Sequence, residues 1–268
     1  MKPDVKIIAE AGCNHLGDMD IACQLILYAK RCGADAIKFQ TYRTDQLVNP
    51  GLIESFCRQC ELDYQKHVQL MRVADECGIK FMSSAFDIDS LEMLHALGLK
   101  TVKIPSGQMF NHRLLRRAAM LGFEVYMSTG MASLSDVAKS VNVLLQTSLP
   151  FEKLTLFQCT TSYPCKPEDV NLCVLEDYRE TFGCKLGFSD HTRGCTAAIG
   201  AVCFGATVIE KHFAVVREKT PDSEVSMQPL EFEHYVRGIR DVCKAMGSCI
   251  KKPLACEAAM EHRKDIQK

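Results

Sequence analysis

The chain has 268 residues with a formal net charge of −1, 47% apolar and 24% charged residues. That is the balance of a soluble globular protein with material for one large core. Near-neutral charge gives no basic surface for nucleic acid or anionic lipid, no apolar run approaches the ~20 residues of a membrane helix, and the N-terminus MKPDVKIIAEAG lacks a signal-peptide core. Fifteen cysteines are scattered, odd in number and often set in apolar stretches, as in Ala22-Cys23-Gln24 and Val202-Cys203-Phe204. Most are read as reduced core residues of a cytoplasmic protein rather than a disulfide scaffold. Cys57 and Cys60 have C-x2-C spacing, but no second pair follows at zinc-ribbon distance, so no structural zinc is expected there.

Eight short apolar runs alternate with eight amphipathic stretches along the chain. The runs are Lys6–Glu10, Ala36–Gln40, Lys80–Ser84, Thr101–Ile104, Glu124–Ser128, Leu154–Cys159, Lys185–Ser189 and Ala206–Glu210. The helix-like stretches are Asp20–Cys32, Asp63–Cys77, Asp89–Leu97, Arg113–Leu121, Ser135–Leu145, Leu172–Phe182, Thr196–Phe204 and Pro229–Met246. Several open on a capping Ser or Asp and close on a glycine, as in CGAD, CGIK and LGLK. Strict alternation predicts parallel strands with crossover helices, and eight units at this length predict an α/β fold closed as a (β/α)8 TIM barrel. No G-x-G-x-x-G follows the first run, which argues against dinucleotide binding. Residues 1–250 are assigned to the barrel and 251–268 to a polar tail or the start of a linker. The segment Thr41–Glu61 is long for a strand-to-helix loop and is expected to act as a lid.

Barrel enzymes place their chemistry where the strands end. Those positions hold Glu10 with Asn14 and His15, then Lys38 and Gln40, then Ser83 and Ser84, then Lys103, Ser106 and Gln108. Ser128 with Gly130, Thr160 with Tyr163, Ser189 with His191, and Glu210 with His212 complete the set. A charge aimed into a barrel is costly unless paired or used, so Glu10, Lys38, Lys103 and Glu210 form either a structural ion network or a site. Lysines and serines suit phosphate and carboxylate oxygens, and glycines at 107 and 130 let backbone N–H groups approach them. His191 and His212 fall just past adjacent strands, where two imidazoles suit a divalent metal. The residues alone indicate a phosphate-bearing substrate and a two-histidine metal without naming the reaction.

The motifs IAEAGCNHLGD, ADAIKFQTY, KIPSG, STGMAS, QCTTSYPCKPEDVNL, GFSDHT and VIEKHF followed by PDSEVSM resemble, in order, those of the sialic acid synthase family. The resemblance spans roughly residues 5–260 and implies condensation of phosphoenolpyruvate with an N-acetylmannosamine-like amino sugar, or its 6-phosphate. The product is a sialic or related nonulosonic acid plus phosphate. It implies a divalent metal on His191 and His212, Mn2+ first, with Mg2+ or Co2+ as substitutes. Lys38, Lys103, Ser106, Ser128 and Ser189 match positions that hold phosphoenolpyruvate, with Ser84 beside the phosphate. Glu10, Gln40, Tyr163, Glu210 and Asp222 match positions that meet the sugar, its aldehyde oxygen or the metal-bound water. Thr160 and Gln108 are further candidate substrate contacts. A homodimer is implied, as is a transferase acting through C–C bond formation and phosphate release.

Three departures stand out. Gln108 replaces an acidic residue common after K-[IV]-x-S-G, and a neutral amide cannot act as a base. Thr220 and Ser223 flank Pro221-Asp222 where the family commonly has a glycine before and a histidine or apolar residue after. Family members continue into a small antifreeze-like domain, and this sequence stops near Lys268. A related phosphoenolpyruvate–aldose condensation, or a barrel that binds without catalysis, are the competing readings.

Overall fold

The computed structural model describes residues 4–48 and 50–264. Eight parallel strands close into one barrel in sequence order. They are β1 (Lys6–Gly12), β2 (Ala36–Thr41), β3 (Lys80–Ala85), β4 (Thr101–Ile104), β5 (Glu124–Ser128), β6 (Leu154–Cys159), β7 (Lys185–Asp190) and β8 (Val208–His212). The helices are α1 (Met19–Arg31), α2 (Thr44–Leu47), α3 (Leu52–Cys60), α4 (Tyr64–Cys77), α5 (Ile88–Ala96), α6 (His112–Met120), α7 (Leu134–Gln146), α8 (Val174–Phe182), α9 (Thr196–Cys203) and α10 (Pro229–Ala245). The expected (β/α)8 barrel is the fold observed, with most element ends within two residues of those read from the sequence. Caps explain several boundaries. Asp18 accepts from the N–H groups of Asp20 and Ile21 to start α1, Asp63 caps α4, and Ser133 with Asp136 forms a capping box at α7.

Two expectations change. Thr41–Glu61, expected as one long loop, contains the helices α2 and α3; Asn49 of this segment lies outside the described residues. Thr44 donates its N–H and hydroxyl to Glu61 Oε2 at 2.9 and 2.6 Å, and Gln59 Nε2 donates to Leu16 O at 2.6 Å. The segment is therefore pinned to the loop after β1. The eighth strand begins at Val208 rather than Ala206, because Gly205 turns the chain at φ +96. His212 is consequently the last residue of β8 and not a loop residue. In the expected tail, Ala255–Lys264 forms 3-10 turns, and residues 265–268 lie outside the described residues.

The two-residue period of the strands sorts side chains into layers inside the barrel. Ile8, Ala36, Met82, Tyr126, Phe157 and Val208 pack together as an apolar plug, separate from the main core between sheet and helices. The Phe157 ring lies where a side chain on Gly187 would stand, since a Cβ there would meet ring carbons at 2.8 Å. Two residues further along each strand, the next inward layer is charged and polar, and it forms the floor of the mouth.

Candidate active site

That layer comprises Glu10, Lys38, Ser84, Lys103, Ser128, Cys159, Ser189 and Glu210, all lining one cavity of about 350 Å³ at the C-terminal ends of the strands. Above them the same cavity is lined by Gln40, Ser106, Tyr163, His191, His212 and Asp222. Closure of the barrel sets β1 against β8, with Glu10 beside His212 and Ile8 beside Glu210. Residues some two hundred positions apart in sequence thereby share one floor.

The floor is a compact ion network. Lys38 Nζ lies 2.7 Å from Glu10 Oε2 and 3.5 Å from Glu210 Oε2. Lys103 Nζ reaches Glu210 Oε1 at 2.7 Å and stands 4.7 Å from the centre of the Phe157 ring below. Lys38 also donates to Ser84 Oγ at 2.6 Å, Ser189 Oγ to Glu210 Oε1 at 3.1 Å, and Gln40 Nε2 to Glu10 Oε1 at 3.2 Å. The four charged residues are each 2–5% exposed.

Burial would raise the Glu210 carboxyl, but Lys103 and then Lys38 overcome it and hold it at about 2. In Glu10 burial outweighs Lys38 and lifts the carboxyl above the ordinary glutamate value. Burial lowers the Lys103 ammonium against the pull of Glu210, whereas Glu10 and Glu210 together raise Lys38 against burial. Two carboxylates whose values are driven apart in this way can take different roles in one site.

The histidines stand above this floor at the ends of β7 and β8. Their ring centres are 5.5 Å apart, and the Tyr163 ring covers both, at 4.1 Å from His191 and 5.9 Å from His212. His191 Nδ1 is 2.8 Å from Thr160 O, which makes it the N–H donor and leaves Nε2 as a free lone pair. Burial and the neighbouring His212 push its pKa down to about 3, so the ring is neutral, the form that ligates metals. His212 Nδ1 is buried without a hydrogen-bond partner, with Asp222 Oδ2 3.6 Å away. A backbone carbonyl fixing one nitrogen of a histidine is the usual support for a metal ligand. These two imidazoles fit a divalent ion. Among the described residues no three His, Cys, Asp or Glu side chains gather for a metal, so the protein would supply two histidines and leave other positions to small molecules. Ser128 Oγ is likewise buried and unpartnered, a free hydroxyl for a ligand oxygen.

Two candidates fall outside the cavity. Thr160 donates its hydroxyl to Asp169 O at 2.9 Å and serves the site through its carbonyl on His191. Gln108 lies in a 3-10 turn (Ser106–Gln108) and accepts from Asn111 Nδ2 at 3.1 Å, so the amide is turned toward α6. Conversely, the strand-end inventory passed over Cys159. Gln158 points outward and donates to Val170 O at 2.9 Å, and the alternation from Phe157 would have assigned the inward place to Cys159.

Gly12 is required twice over. Its φ is +52, and a Cβ there would lie 2.5 Å from Asp222 Oδ2. Gly12→Ala is expected to cost about 1–2 kcal/mol from left-handed backbone alone, a fall of very roughly 2–8 °C in Tm for a chain of this size. It should also displace Asp222 from His212. Thermal melting checks the first expectation and a structure of the variant the second; an unmoved Asp222 would refute the steric argument.

A closed parallel barrel with buried lysines, carboxylates, serines and imidazoles gathered at its C-terminal mouth has the architecture of a (β/α)8 enzyme. The chain belongs to the NeuB family, which it matches over residues 25–251. It is 37% identical to the N,N'-diacetyllegionaminic acid synthase of Campylobacter jejuni, over 98% of this chain and 86% of that protein. It is 35% identical to the N-acetylneuraminate-9-phosphate synthase of Homo sapiens, over 96% of this chain and 75% of that protein. The crystal structure of N-acetylneuraminic acid (sialic acid) synthetase from Leptospira borgpetersenii, in complex with citrate, superposes with a TM-score of 0.88 at 32% identity. That superposition covers 98% of this chain and 93% of the other.

Proposed function

We propose that this chain condenses phosphoenolpyruvate with the open-chain aldehyde of an N-acetylmannosamine-like acylamino sugar, giving a nonulosonic acid and phosphate. The observation that carries the reading is the cavity itself: two buried lysines, four serines and two imidazoles line one mouth. In the reaction C3 of phosphoenolpyruvate bonds to the aldehyde carbon, water adds at C2, and the C–O bond to phosphate breaks. A divalent ion on His191 and His212, Mn2+ first, would supply Lewis acidity toward the aldehyde oxygen. Lys38 and Lys103 exchange their carboxylate partners for the carboxylate and phosphate of the substrate, with Ser84, Ser106, Ser128 and Ser189 as neutral donors. Glu210 stays anionic, and in the structure it is the carboxylate that both lysines share. Glu10, lifted by burial, is the carboxyl able to take up a proton. Gln40, Tyr163 and Asp222 line the upper wall, where the sugar would stand.

No helix among the described residues is long and apolar enough to cross a membrane. The free cysteines support a reducing, cytoplasmic setting, and the family resemblance supports a homodimer. The test is phosphate release from phosphoenolpyruvate with Mn2+ and a panel of N-acetylmannosamine, its 6-phosphate, diacetamido sugars and aldose phosphates. Release driven by an acylamino sugar is the expected result. Release driven only by aldose phosphates would transfer the chain to another ulosonic acid, and release with none would end the catalytic reading.

A further inference from the structure

On the outer side of β7 and β8, behind the wall that carries the two histidines, lies a second buried polar cluster with no access to the cavity. Lys211, whose side chain is fully buried, has its ammonium 3.6 Å from Asp190 Oδ1, and Asp190 is fully buried too. Lys211 Nζ also donates to the carbonyl of Thr192 and stands 5.8 Å from the centre of the Tyr235 ring. Tyr235, from α10, donates its hydroxyl to Asp190 Oδ2 at 2.9 Å. Asp190 Oδ1 accepts from the Thr192 N–H at 2.8 Å and from the Thr192 hydroxyl at 2.7 Å.

Such a cluster is an expensive way to fill a helix–sheet interface. Two charges withdrawn from water gain little over well-packed apolar residues of the same size. Its geometry indicates what it does. Asp190 and Thr192 are the chain neighbours of His191, and both are gripped. Lys211 is the chain link between Glu210 and His212. One ion pair thus ties the end of β7 to the end of β8 immediately behind both imidazoles, and Tyr235 anchors the pair to α10. Strand alternation makes this unavoidable: with Ser189 and Glu210 facing the cavity, their successors Asp190 and Lys211 face the helices.

We propose that Lys211, Asp190 and Tyr235 are positioning residues that fix the mutual placement of His191 and His212, and through it the affinity of the site for a divalent cation. The proposal rests on the two-histidine metal reading above. Groups that orient metal ligands from behind contribute roughly 10–100-fold in affinity, which sets the scale of the test.

The test uses the full chain with Tyr235→Phe, which removes one hydroxyl, Lys211→Met, and the double variant Lys211→Met/Asp190→Asn. Mn2+ affinity is read from the electron paramagnetic resonance of free Mn2+, phosphoenolpyruvate binding by calorimetry on metal-free protein, and folding by thermal melting. Tyr235→Phe and Lys211→Met should weaken Mn2+ by roughly 10–100-fold while metal-free phosphoenolpyruvate binding stays at the wild-type value. The double variant should regain stability over Lys211→Met, because no buried charge is left unpaired, yet keep the weak Mn2+ affinity. Wild-type Mn2+ affinity in folded Tyr235→Phe and in the folded double variant would overturn the proposal. Equal loss of both ligands would also overturn it, since that marks general loosening. Wild-type protein that binds phosphoenolpyruvate but no Mn2+ would sink the metal reading itself, and this proposal with it, before any variant is compared.

Discussion

Lys103→Met is expected to cost about 3–5 kcal/mol of stability, the usual consequence of leaving one partner of a buried ion pair behind. Glu210 would keep only the hydroxyl of Ser189 and a Lys38 ammonium it shares with Glu10. Turnover should fall by at least roughly 10²–10³-fold, the scale for loss of a preorganised group facing developing charge. The double variant Lys103→Met/Glu210→Gln separates the two roles. It should recover much of the stability, since no unpaired charge remains, and none of the turnover. Chemical denaturation and phosphate release measured on the same preparations check both. A single variant that melts like the wild type would contradict the energetic account of the floor, and a double variant with restored turnover would reduce the network to a structural one.

His191→Ala and His212→Ala should each lower kcat by at least about 10³-fold, because Lewis-acid stabilisation is worth several kcal/mol and each 1.36 kcal/mol is a factor of ten. Phosphoenolpyruvate binding should change little, since Lys38 and Lys103 belong to strands β2 and β4 and are not hydrogen-bonded to either imidazole. With only two protein ligands the ion should exchange readily, so exhaustive chelation should abolish turnover and added Mn2+ should restore it. Near-full activity of either variant after chelation would remove the metal from the mechanism. Loss of substrate binding in step with kcat would mean that the imidazoles hold phosphoenolpyruvate instead.

Most of the architecture was legible because strand, glycine stop and capped helix recur in a fixed rhythm, and that rhythm survives without tertiary context. Thr101–Ile104, Glu124–Ser128 and Leu154–Cys159 were bounded correctly for this reason. The helices α2 and α3 were not, since α2 is four residues long and the segment is held by contacts to Glu61 and Leu16 that no local pattern announces. The chemistry was legible as strand-end residues but not as inward or outward directions. Cys159 faces the cavity and Gln158 the helices once register is known, and Gln108 and Thr160 turn away because turn geometry, not residue type, decides where they aim. Lys211 belongs to the same strand-end run as Glu210 and His212 but received no role, since its partners on β7 and α10 cannot be read from a single strand.

The succession Glu210, Lys211, His212 alternates between the interior of the barrel and the layer behind its wall. Removing one residue early in this strand would therefore do more than shorten it. It would swing the ammonium into the cavity and drive the carboxylate and the imidazole into apolar helices, since a slip of one position exchanges the faces of everything downstream. A change of length within this strand would dismantle the cavity floor and the cluster behind it together. The spacing of three consecutive residues thus fixes at once what faces the mouth and what braces it from outside.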